Sequence, residues 1–244
     1  MENYYFDRMK ANLTRFSETK RHFEKLINHR RCLIIGSAPE PVFPGSSSDD
    51  CILCVNGSVY SVYKHLSRGP DITYLNAAFF RDENIYTSKT RAILAGKHIG
   101  DALVAWRDHE EGVKMLEQFG VDFGIARLFS KYEKRLILTE VLAHNVIGLY
   151  AHRANVSNGI LMVAFALACG AREAILIGFS FDHAHAYSPS QQLSPRAHAE
   201  EDTLFLRLAL SRKLPLTTTS QDLHSRTGLP LTDLETEPTQ DLTP

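Results

Sequence analysis

The chain lacks the usual signs by which a protein of 244 residues announces its ligand: a charge excess, a long apolar stretch and a glycine-rich phosphate loop. Lys and Arg number 27 against 28 Asp and Glu, a formal net charge of -1. That balance excludes a global electrostatic footprint for DNA, RNA or an anionic membrane, so an anionic ligand has to be held by local groups. No segment approaches the roughly 18 consecutive apolar residues of a spanning helix, and MENYYFDRMK lacks the charged-then-apolar order of a secretory signal. A cytoplasmic location is expected, with peripheral association at the inner membrane face left open. The 4 cysteines include one CxxC, Cys51 and Cys54, but no second pair follows to complete a zinc site. The run CILCVN reads instead as a buried strand in which cysteine acts as a small hydrophobe. Neither GxGxxG nor GxxxxGK[ST] occurs, and no internal repeat is visible.

What is present is a recurrence of short apolar runs, each followed by small or polar residues. Cys32 to Ile35, Cys51 to Val55, Ile72 to Leu75, Ala102 to Trp106, Ala174 to Ile177 and Leu216 to Thr218 suit strands buried on both faces of a parallel sheet. Helices are expected from Ser157 to Cys169, capped by Ser157 and stopped by Gly170, and from His198 to Lys213. Residues 1–31 carry Phe16, Phe23, Leu26 and Ile27 at helical spacing and read as an N-terminal helical extension of one or two helices. The expected architecture is α/β: a single doubly wound, Rossmann-like, mostly parallel sheet over residues 32–230 with helices on both faces. A polar segment rich in His, Ser, Pro and Gln, about 179–198, has the composition of a short lid, and residues 231–244 that of a disordered tail.

The loop after the first run, GSAPEP, is not built for a dinucleotide. Pro39, Pro41 and Pro44 remove backbone donors and push the residues before them away from helix. Gly36 and Ser37 nevertheless follow a strand's carboxyl end, where open α/β sheets bind ligands. The next two strands deliver Asn56 and Asn76, whose amides donate and accept at once. Turn chemistry explains either one equally well. Ser157, Asn158 and Gly159 open a helix, which is both an ordinary N-cap and a place where free N–H groups welcome an anion. His183 and His185 flank Ala184 but have no third partner at metal-binding spacing.

Taken in order, GSAPE at 36–40, CVN at 54–56, YLN at 74–76, SNG at 157–159, GFSFD at 178–182, Tyr187 and His198 resemble the bacterial sialyltransferases of glycosyltransferase family 42 and the related domain of motility-associated flagellin glycosyltransferases. The resemblance implies a metal-independent inverting glycosyltransferase that uses a CMP-activated sialic or other nonulosonic acid to modify a surface glycan or flagellin. Its partners would be a nucleotide-sugar donor and a glycan or protein acceptor, with no cofactor. It also implies roles: Gly36, Ser37, Asn56, Asn76, Ser157, Asn158, Gly159 and Asp182 toward the nucleotide and sugar, Tyr187 as donor to the leaving phosphate, and His198 as general base. The pattern departs from the family at Ser37, at Asn158, at Ser180 where the family has Asp, and in a lid reduced to one tyrosine. Two other readings stay open: a Mg²⁺-dependent pterin pyrophosphokinase-like enzyme using Asp182, Glu200, Glu201 and Asp202, and a catalytically inactive nucleotide-binding domain.

Overall fold

The computed structural model describes residues 2–45, 47–81, 84–143, 156–181 and 198–233. Seven strands form one sheet: β1 Arg31–Ile35, β2 Cys51–Val55, β3 Ile72–Leu75, β4 Asp101–Val104, β5 Ala126–Leu128, β6 Glu173–Ile177 and β7 Leu216–Thr218. Their order is β5-β4-β3-β2-β1-β6-β7, and every pairing is parallel. The central strands are apolar on both faces, as parallel strands under two helical layers must be.

The nine described α-helices divide between those layers. On one side lie α1 Glu2–Ile27, α6 Lys131–Leu142, α7 Asn158–Ala168, α8 Ala199–Ser211 and α9 Gln221–Thr227. On the other lie α2 Val59–His65, α3 Ala77–Arg81, α4 Ile85–Leu94 and α5 His109–Gln118. Helix α7 is apolar almost all round and is buried from Gly159 to Ala166, so it forms the centre of its layer. The N-terminal segment is a single helix whose Phe16, Thr19, Phe23 and Ile27 recur at helical spacing and are all buried. Phe23 meets Phe165 of α7 edge to face, and Arg15 reaches the fully buried Glu133 carboxylate with Nε at 2.7 Å.

The sheet differs from the expected one in two places. β4 stops at Val104, and β5 is an additional strand. Its core, Ala-Arg-Leu, is too short and too interrupted by charge to stand out as an apolar run. At the other end, Leu231 bridges to Thr218, and the Thr232 hydroxyl bonds Thr217 at 2.7 Å, so the chain is held to β7 up to that point. Residues 234–244 lie outside the described residues.

Cys51 and Cys54 are three residues apart on one strand, and the two-residue side-chain period sends them to opposite faces. They therefore cannot share a metal or a disulfide. All four thiols are free and buried. A hydrogen bond with Cys32, together with burial, raises the Cys51 thiol, and burial raises Cys54 and Cys169. Since the thiolate is the reactive form, a disulfide-exchange reagent such as DTNB should titrate none of the four cysteines rapidly in the native protein and all four after denaturation. Rapid native reaction of Cys51 or Cys54 would contradict this placement.

Candidate functional site

From β1 the chain steps outward through β2, β3, β4 and β5, then returns to place β6 on the opposite side of β1. The carboxyl ends of β1 and β6 are therefore the switch point, the place where an open α/β sheet leaves a crevice. A crevice lies there. Its polar wall consists of Gly36 and Ser37 after β1, Asn56 after β2, and Ser157, Asn158 and Gly159 at the start of α7; Asp202 of α8 also borders it. Its apolar wall is made by Val55, Phe179, Phe181, Leu206 and Leu223.

The proline-rich loop takes no helical form; instead it stays on β6. Gly36 N–H donates to the Ile177 carbonyl at 2.7 Å and Ala38 N–H to the Gly178 carbonyl at 2.8 Å. A Cβ on Gly36 would lie 2.4 Å from the Gly178 oxygen, so the approach requires glycine at this position. Gly178 itself turns with φ +65, a conformation that disfavours any side chain. The Gly36 and Ala38 N–H groups are thus spent on β6, and the backbone donors left facing this end of the sheet are those at the start of α7.

At the start of α7, Ser157 Oγ accepts from Ile160 N–H at 3.3 Å, leaving the N–H groups of Asn158 and Gly159 with no acceptor within the helix. The helix dipole adds partial positive charge at this end. Behind it, Ser157 N–H donates to the Asp202 carboxylate at 2.7 Å, which ties α7 to α8. No lysine, arginine or histidine lines the crevice among the described residues. A phosphate here would meet neutral donors and a helix terminus.

The two asparagines have different tasks. Asn56 adopts φ +48, which asparagine tolerates better than most residues, and borders the crevice. Its Oδ1 accepts from Asn76 N–H at 3.0 Å, which leaves the amide N–H groups for a ligand. Asn76 is one step back: its own Oδ1 accepts from Phe79 N–H at 3.1 Å and starts α3. His198 is at the N-terminal flank of α8, one turn before Asp202, whose N–H donates to the His198 carbonyl at 2.9 Å; it is half-buried, and its side chain makes no cap hydrogen bond. Tyr187 and Asp182 lie outside the described residues, as do His183 and His185.

Sequence reasoning missed the two phenylalanines and the positioning role of Asp202. The phenylalanines sit in the alternating GFSFD, and a Cβ on Gly159 would lie 2.6 Å from the Phe179 ring, so glycine there admits the aromatic wall. Asp202 sits in an acidic run, HAEED, which reads as a solvated helix start; its burial is a tertiary fact. At Ser180, where the family pattern has Asp, a carboxylate arrives from elsewhere. Asp222 of α9 accepts from Ser180 Oγ at 3.0 Å and from Phe181 N–H at 3.3 Å. Among the described residues, no three of His, Cys, Asp and Glu gather to hold a metal ion, and no helix is long and apolar enough to cross a membrane.

This is a Rossmann-like α/β sandwich with a crevice at its switch point, and solved structures share the fold. The monofunctional α-2,3-sialyltransferase Cst-I of Campylobacter jejuni matches with a TM-score of 0.56 at 15% identity, over 83% of this chain and 81% of that one. CstII of the same organism matches in a complex with CMP-3FNeuAc, with a TM-score of 0.55 at 19% identity over 84% and 87% of the two chains. It also matches in a complex with a trisaccharide acceptor and CMP, with a TM-score of 0.52 at 18% identity and the same coverages. At such identities the likeness establishes a common fold. No protein-family model and no curated protein matches the sequence.

The crevice depends on the contact between Gly36 and Gly178. Gly36→Ala forces a methyl group against a carbonyl and should destabilise the protein by about 2 kcal/mol, as overpacking does. A lower urea midpoint with an unchanged slope, read by circular dichroism, is the expected result; an unchanged midpoint would refute the close approach.

Proposed function

We propose that the protein is a glycosyltransferase that moves a sugar from a CMP-activated donor, a sialic or other nonulosonic acid, to a hydroxyl of a glycan acceptor. The observation that carries this reading is the convergence of Asn56, Ser37 and the uncapped N–H groups of α7 at the switch point. It occurs in a fold that CstII also has, and CstII is described in complexes with CMP and with a trisaccharide acceptor. The order of sequence motifs supports the same reading.

In the proposed reaction, Asn56 reads the nucleotide or its ribose through its amide donors. The start of α7 accepts the phosphate as negative charge grows on it. The acceptor oxygen attacks the anomeric carbon, the bond from that carbon to the phosphate oxygen breaks, and CMP leaves with its electron pair. His198 takes the proton from the acceptor hydroxyl, a task suited to imidazole near neutral pH, and Tyr187 donates to the departing phosphate. A single displacement of this kind inverts the anomeric centre. Neutral donors and a helix terminus do the work a divalent cation would do elsewhere, which is the basis for proposing metal independence. A surface glycan or flagellin as acceptor belongs to the same proposal.

Calorimetric titration with CMP in the presence of EDTA should show binding that Asn56→Ala weakens at least tenfold, about 1.4 kcal/mol or more. Turnover of CMP-sugars should then fall at least a hundredfold in His198→Ala, with CMP affinity retained. ATP binding that appears only with Mg²⁺ would favour a pyrophosphokinase, and CMP binding without turnover an inactive binding domain.

A further inference from the structure

A second cavity opens beside the proline-rich loop, between it and α2. It holds about 180 Å³, against the roughly 10–15 Å³ that a single water needs, so it admits a group of several heavy atoms. One wall is the loop itself, Pro39 to Pro41. The other is α2, where Tyr60 and Lys64, and beside them Ser61 and His65, stand four residues apart and so share one face of the helix. Phe43 stacks on the His65 ring, with centroids 5.4 Å apart and planes 28° apart, which holds the imidazole in place.

Ser61 is the informative residue. It is only 2% exposed, it borders the cavity, and its hydroxyl makes no hydrogen bond to a described residue. A buried hydroxyl without a partner destabilises a protein, and the cost is relieved only when something in the cavity bonds it. At the rim Tyr60 and Lys64 add donors and Glu40 adds a carboxylate, and no ion pair joins Glu40 to Lys64 or to another described residue. Glu40 is held there with φ +51, a left-handed backbone that a side chain disfavours, although it precedes Pro41 and would ordinarily be extended.

The mixture of groups selects the ligand. Lys64 and the two hydroxyls donate, while an ionised Glu40 only accepts. A phosphate would bond the lysine but face the Glu40 charge, and an apolar group would leave Ser61 unpaired. A sugar hydroxyl donates once and accepts twice, so neighbouring hydroxyls satisfy both kinds of partner, and the rings of Tyr60 and His65 offer apolar faces to the C–H side of a pyranose. We propose that this cavity is a carbohydrate subsite, seating a polyhydroxylated group beside the nucleotide crevice. That it binds a polyol does not depend on the nucleotide; that the polyol takes part in glycosyl transfer rests on the glycosyltransferase reading.

The two sites have the loop as a common partition. Ser37 borders the crevice and Pro39 the cavity, and Pro41 Cβ is 3.1 Å from where a Cβ on Gly178, a crevice residue, would lie. After β2, Asn56 borders the crevice and Tyr60 the cavity; the four residues between them, a 3₁₀ turn and the start of α2, rise about 6–8 Å. That is the separation of neighbouring parts of one ligand or of two ligands in contact. The polyol has two sources on these terms: the sugar that the donor carries, and a sugar of the acceptor glycan.

Removing the Ser61 hydroxyl separates a binding role from a structural one. Ser61→Ala should leave Tm unchanged or raise it, because no bond within the protein is lost; a fall in Tm would show that the hydroxyl is already paired and overturn the subsite. Backbone amide NMR spectra of the ¹⁵N-labelled full chain are recorded with methyl β-lactoside, and affinities for CMP and for CMP-3FNeuAc are measured by calorimetry, on the wild type, Ser61→Ala and Lys64→Met. If the cavity serves the donor, both variants weaken CMP-3FNeuAc by about fivefold or more and leave CMP unchanged. If it serves the acceptor, lactoside shifts the Ser61 and Lys64 amides of the wild type, its affinity falls by about fivefold or more in both variants, and both nucleotides bind unchanged. Absence of both patterns, with water the cavity's sole occupant, overturns the subsite. Lactoside binding at Ser61 in a protein that binds no CMP would overturn the nucleotide reading and leave the subsite standing.

Discussion

Everything in this site hangs on how closely the ends of β1 and β6 approach. Two glycines make that contact: Gly36, with no room for a Cβ beside the Gly178 carbonyl, and Gly178, turned to positive φ. The backbone bonds from Gly36 and Ala38 to β6 hold the proline-rich loop against the sheet instead of letting it rise into a helix. Because that loop is pinned, the crevice stays open above it, and α7 becomes the helix whose N-terminus faces in. The electrostatic character of the site follows: uncharged donors and a dipole, with an aromatic wall opposite. One packing constraint selects which helix can bind an anion.

Much of this was legible in the residues. Strands buried on both faces must be continuous apolar runs, so β1, β2, β3, β6 and β7 could be placed closely, and Ser157 and Gly170 marked both ends of α7. β5 was not legible, because an edge strand carrying Arg127 satisfies its neighbours with three residues and shows no run. The site separated in the same way. Gly36, Ser37, Asn56 and Ser157 to Gly159 stand next to strand or helix ends, where topology alone puts them near the crevice. Asp202 is buried only because α7 and α8 meet, a fact that no local pattern holds. Asn56 and Asn76 look equivalent in sequence, and only the fold decides that one reads the crevice while the other starts α3.

The relation between Ser180 and Asp222 extends the point. Read along the chain, a serine where the family pattern has an aspartate is a lost carboxylate. In space, α9 lays Asp222 on that serine and on the next backbone N–H, and Arg226 in turn holds the other carboxylate oxygen at 2.8 Å. A carboxylate therefore lies beside the strand end although none stands at position 180. A departure from a linear motif is thus weak evidence for loss of function until the neighbouring element is known.

The distribution of charge around the sheet is the last constraint. The crevice at β1 and β6 holds no lysine, arginine or histidine among its described residues. A cation beside the leaving phosphate would stabilise bound donor and departing nucleotide alike and slow product release; donors aimed from a helix end respond to charge as it develops. In the proposed reaction the crevice is thus dipolar where the bond breaks, with the start of α7 in place of a fixed cation.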